Sequence, residues 1–93
     1  MPRYHPGMKR YGGPIHFDSQ PTNWMKEHRS FASREWFRSQ VQYGEWERDG
    51  RKRNCFLIYV AVVEGVKDLT VIIKIKYFQT HVLIYHAHVL RKK

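Results

Sequence analysis

What this chain lacks narrows it before any motif does. Cys55 is its single cysteine among 93 residues, so no internal disulfide can form. A reducing cytoplasm is the compartment expected, with Cys55 as a small core residue. Long apolar runs are missing too: the longest, FLIYVAVV at 56–63, falls well short of the roughly 20 residues that span a bilayer. No apolar stretch follows the basic start, so neither a membrane-spanning segment nor a secretory signal is expected. No glycine-rich phosphate loop is present, nor any Ser-His-Asp or Cys-His pattern, internal repeat or low-complexity segment. Acidic residues are scarce, 8 Asp and Glu against 17 Lys and Arg, which leaves a formal net charge of +9.

That imbalance is the strongest functional signal. Like charges repel in a compact domain, so the excess adds nothing to stability and points to a polyanionic partner. RNA or DNA fits best, with ribosome association as a blander alternative. Weak adhesion to anionic lipid and simple solubility are the plainer explanations. Hydrophobic residues at 42% and aromatics at 15% exceed what a disordered chain carries. A chain of this length buries about 60–65% of its unfolded surface, enough for one modest core. The organisation expected is a flexible basic arm over 1–14, which holds three prolines and three glycines, and a single domain over 15–93.

The pattern along the domain predicts an α+β fold. IHFD at 15–18 alternates as a short edge strand. Thr22 or Asn23 is expected to cap a first helix after Pro21. Ser30 is expected to cap a second helix running to about Tyr43, with Gly44 as its stop. Asp49-Gly50 then reads as a hairpin turn. Strands follow over 54–63, 69–78 and 82–90, joined by turns at 64–68 and 79–81. Connections this short force antiparallel neighbours. The expected architecture is β-α-α followed by an antiparallel meander of about four strands, with both helices on one sheet face.

Alternation in the strands sorts the polar residues. Lys74 and Lys76 point away from Val71, Ile73, Ile75 and Tyr77. In the last strand His86 and His88 share a face with Val82, Ile84 and Leu90, opposite Leu83, Tyr85, Ala87 and Val89. The lysine and histidine pairs then fall together on the face without helices. There they form either a reactive surface or a solvated one. The spacing of His86 and His88 also suits a metal pair, but zinc needs a third and fourth ligand. Cys55 is the only thiol, no carboxylate lies in the last two strands, and His81 is expected on the opposite face. No metal and no cofactor are therefore expected.

Two stretches carry a family resemblance. HFD followed by TNWMKEHRSF resembles the N-terminal signature of BrnT-type toxins, through Phe17, Asp18, Asn23, Lys26, His28, Ser30 and Phe31. LIYHAHVL resembles the family's last strand, where His86, Ala87 and His88 stand in place of Ser-Ala-Arg. Element order agrees over about 15–91, although Glu27 separates the Lys-His pair and His88 replaces an arginine. The resemblance implies a RelE/ParE-like scaffold, metal-independent RNA cleavage and neutralisation by a protein antitoxin.

The chemistry expected from the residues is attack of a ribose 2′-OH on the neighbouring phosphate. Imidazoles suit both proton transfers, because a catalytic pKa near the operating pH works best. His28, His86 and His88 are the catalytic candidates, without assignment of acid and base. Lys26, Arg51, Lys52, Arg53, Lys74, Lys76 and Arg91 are the candidate phosphate clamps. Trp46 and Tyr59 are expected to pack rather than to stack bases, and Tyr85 to sit in the core. The alternative is a basic module that binds RNA, DNA or a protein without catalysis.

Overall fold

A computed structural model describes residues 9–90. Along the chain it forms β1 (Ile15–Phe17), α1 (Ser19–Glu27), α2 (Arg34–Tyr43), β2 (Glu47–Arg48), β3 (Cys55–Glu64), β4 (Lys67–Tyr77) and β5 (Val82–Val89). The expected α+β class is what forms. The five strands make one sheet in the order β1-β5-β4-β3-β2. It is mixed, because β1 runs parallel to β5 while the other neighbours are antiparallel. No helix among the described residues is long and apolar enough to cross a membrane.

Both helices begin earlier or later than their sequence signals suggest. Asp18, not Thr22 or Asn23, caps α1, its carboxylate accepting from the Ser19 N–H at 2.8 Å. Pro21 lies inside the first turn, where its missing N–H costs nothing. Ser33 rather than Ser30 caps α2, accepting from the Trp36 N–H at 3.0 Å. Ser30 instead donates to Glu64 Oε2 at 2.8 Å, tying the interhelical turn to the far end of β3. α2 does stop at Gly44, but its φ of −77° is not left-handed. Glycine is needed there for room, since a Cβ would run into the Gln40 carbonyl and the Ile58 side chain.

The turns also differ from expectation. Asp49-Gly50 opens a loop over 49–54 rather than a two-residue turn, and the left-handed φ is carried by Gly50 at 56° and Asn54 at 59°. The next hairpin is the tight one: β3 and β4 pair out to Glu64 and Lys67, leaving Gly65, with φ of 65°, and a fully exposed Val66 at the tip. Part of the segment expected as a free arm is held in place. Arg10 N–H donates to the Gln42 carbonyl at 2.6 Å, the Pro14 carbonyl accepts from Val82 N–H at 3.0 Å, and Tyr11 lies against Trp46 and Tyr77. Residues 1–8 and 91–93 lie outside the described residues.

The core lies between the helices and one face of the sheet. Phe37 and Val41 of α2 and Trp24 and Met25 of α1 pack against Ile58, Val71, Ile73, Ile75, Val82, Ile84 and Ala87. A β-bulge reshapes the last strand. Lys74 pairs with His86 and Ile75 with Ile84, so Tyr85 has no residue opposite it. The extra residue shifts the alternation by one. Val82 and Ile84 therefore share the helix face with Ala87, which corrects the expected grouping of Val82 and Ile84 with His86 and His88.

β1 covers only the first part of β5, and α1 closes the rest of that edge. Asp18 N–H donates to the Ile84 carbonyl at 2.9 Å. The Gln20 amide then takes the place of a strand: its Oε1 accepts from Ala87 N–H at 2.8 Å and its Nε2 donates to the Ala87 carbonyl at 2.9 Å. A half-buried strand edge would otherwise leave these two groups without partners.

Candidate functional site

Cross-strand partners share a face, so the pairing register lays out the side of the sheet without helices as three rows. One row holds Leu57, Lys74 and His86; the next holds Cys55, Lys76, Leu83 and His16; the third holds Tyr59, Ile72 and His88. Lys74 and His86 are thus direct neighbours, and the rings of His86 and His88 lie 5.0 Å apart. Tyr59 is 48% exposed on this face rather than packed away.

The imidazoles sit among cations. Burial lowers the His86 pKa below the ordinary value, and His88, Lys74 and Lys52 lower it further. Burial likewise lowers the His88 pKa, with Lys74 adding to the effect. Near neutral pH both rings are consequently unprotonated, able to accept a proton. His88 Nδ1 is enclosed and has no hydrogen-bond partner.

Beside them the bulge places a phenol that the alternation had assigned to the core. Tyr85 Oη is enclosed without a hydrogen bond. Burial, then the adjacent Cys55 thiol and Asp49 carboxylate, push its pKa up to about 12. It stays protonated at any physiological pH. Cys55 is buried, as expected, but beneath this face and not in the cluster under the helices. Lys52 reaches back over the same region, its Nζ 3.7 Å from Asp49 Oδ2, a loose ion pair with no hydrogen bond to that oxygen.

His28 approaches from the other side. It caps the C-terminus of α1, stacks on Trp24 at 4.2 Å, and holds Nδ1 3.5 Å from Glu64 Oε2, beyond good hydrogen-bonding geometry. A cavity of about 440 Å³ brings it together with His88, between Trp24, Glu27 and Val89. The remaining candidates divide. Lys52, Lys74 and Lys76 belong to the helix-free face or its rim. Arg51 and Arg53 are exposed on the 49–54 loop and Lys26 is exposed in the last turn of α1. Arg91 lies outside the described residues. Trp46 packs against Phe56 and Tyr77 and donates its Nε1–H to the Val41 carbonyl at 3.0 Å.

Comparison of the chain with protein-family models, with curated proteins and with solved structures returns no match. The site must therefore be read from its own chemistry. The lysines beside two neutral imidazoles and a protonated phenol give this face a positive field and hydrogen-bonding groups that favour an anion. Among the described residues no three His, Cys, Asp or Glu side chains converge as a metal-binding set. The arrangement suits holding a phosphate and moving protons next to it.

Proposed function

We propose that this protein binds RNA through the helix-free face and cleaves it without a metal ion, with Lys74, His86 and His88 as the reactive centre. The observation that carries the reading is the Lys74–His86 pair with His88 beside it, on the open face of a chain of net charge +9. In this reaction one imidazole takes the 2′-OH proton and O2′ bonds to phosphorus. The bond from phosphorus to O5′ breaks, and that oxygen is protonated by the other imidazole. The products are a 2′,3′-cyclic phosphate and a free 5′-OH.

The acid role requires a protonated ring, and substrate binding supplies the reason for one. Burial is the larger cause of the depressed His86 pKa, with His88, Lys74 and Lys52 adding to it. A docked phosphate beside these cations brings a negative charge that favours the protonated ring. Lys74 and Lys52 also stabilise the charge that builds on phosphorus. Read as the β-α-α and meander arrangement of BrnT-type toxins, the protein would be a cytoplasmic toxin silenced by a protein antitoxin bound over the same face.

A binding protein without catalysis is the second reading. It is favoured by the depressed pKa of both imidazoles, which leaves the free protein with two bases and no imidazolium. One experiment separates the two. Purified protein is incubated with RNA in EDTA, and the ends of the products are analysed. Cleavage to cyclic-phosphate ends that is lost in His86→Ala and His88→Ala, while RNA affinity is kept, supports the nuclease. Intact RNA at high protein excess refutes it, and tight binding that disappears with Lys74→Ala would then favour the second reading.

A further inference from the structure

One row of the open face carries more than charge. His16 of β1, His81 in the β4–β5 turn and Phe78 form a continuous stack. His16 and His81 lie 4.3 Å apart with planes inclined at 20°, and His81 and Phe78 lie 4.7 Å apart, also at 20°. Thr80 Oγ1 is 2.9 Å from His81 Nδ1 and holds the middle ring. Lys76 Nζ lies over the Phe78 ring at 5.4 Å, closing that end. The His16 end is open, since His16 is exposed.

We propose that this stack is a platform for one unpaired nucleobase, which lies flat on His16 and extends the pile by one ring. The proposal rests on the nucleic-acid reading above and adds where a base is held. Position supports it as well as shape. Lys76 and His16 stand in the row next to Lys74 and His86. Lys74 and Lys76 are two residues apart on one strand, so their side chains emerge about 7 Å from each other. That matches the step between successive phosphates of an extended single strand. Phosphates at Lys74 and Lys76 would lay the strand along this face, and a nucleotide further on, past the pile from Lys76, would bring its base to the open side of His16. Flat rings bind bases with little regard to sequence, because every base has a π face. The platform would therefore anchor a single strand beside the reactive centre without selecting its sequence.

The test uses a fluorescently labelled oligouridine and an otherwise identical oligomer of abasic units. Binding is measured at pH 8 and low salt to the full chain and to its His16→Ala and His16→Phe variants. His16 is exposed at a strand edge, and circular dichroism confirms that each variant is folded. The expected result is binding of oligouridine roughly tenfold weaker in His16→Ala and restored in His16→Phe, with the abasic oligomer bound equally by all three. Equal affinity of wild type and His16→Ala for oligouridine overturns the platform alone. So does a loss shared by the abasic oligomer or left unrescued by phenylalanine, since either would mark His16 as a charge and not a stacking surface. Failure of the wild type to bind either oligomer overturns the nucleic-acid reading and the platform with it.

Discussion

On the helix side of the sheet Val71, Ile73, Ile75, Ile84 and Ala87 are fully buried. On the other side the same two strands present Lys74, Lys76, His86 and His88. Neighbouring residues of one strand thus live under different rules. The helix side is close-packed, so volume and shape decide what is tolerated there. The open side is half-wet, and its residues are linked through charge: one lysine depresses the pKa of two histidines. Damage on the first side should appear as lost stability, and damage on the second as altered titration or binding.

The most severe test of that contrast is Phe37→Ala. The ring is fully buried between the helices and the sheet, and its loss should cost about 3–5 kcal/mol. A small domain has about 5–15 kcal/mol in total, so the urea midpoint should fall by a large fraction. A drop below about 1 kcal/mol would mean that the helix side is not the core described. Gln20→Leu comes next. It keeps the bulk but strips the partners from Ala87 N–H and C=O, for an expected loss of about 1–3 kcal/mol. Hydrogen exchange at the Ala87 amide should accelerate together with that loss.

The open side should respond to pH. The folded-state pKa values of His86 and His88 are lowered, so the unfolded chain takes up their protons first. Their contribution to stability is present above the unfolded imidazole pKa of about 6.5. It is lost as pH falls through the folded values. A His86→Ala/His88→Ala double variant should show a flatter melting-temperature profile between about pH 7.5 and 5 than the wild type. An identical slope would remove the linkage. Lys74→Gln should raise the titration midpoints of both imidazoles, read by NMR, and leave the urea midpoint nearly unchanged. Smallest is Tyr85→Phe: the hydroxyl makes no hydrogen bond, so its removal should shift stability by less than about 1 kcal/mol.

Much of the helix side was legible from local pattern. The alternation of Val71, Ile73 and Ile75 with Lys74 and Lys76 reads directly from residues 71–76, because a strand repeats every two residues. The stop at Gly44 was legible too, though its reason, close approach to Gln40 and Ile58, was not. Helix starts were misread because several capping residues lie near each helix, and geometry selects Asp18 and Ser33. Alternation failed in the last strand, where nothing local announces that Tyr85 is the extra residue. The positions of Tyr85, Val82 and Ile84 were reversed as a result. The His16–His81 pair is not legible in the sequence, since the stacking depends on a parallel strand pairing that no short connection imposes.

By itself the sequence determined the properties that add up along the chain or repeat locally. These are the charge of +9, the lone cysteine, the α+β class and the separation of Lys74 and Lys76 from Ile73 and Ile75 on β4. Tertiary structure alone decided which distant residues come together: Gln20 with Ala87, Tyr85 with Cys55 and Asp49, His28 with His88 around one cavity, and His16 with His81. The physical reason lies in range. Charge and periodicity come from neighbours in the chain, whereas a bulge, a closed strand edge or a ring stack depends on pairing between residues far apart in sequence, and that pairing is chosen by the packing of the whole core.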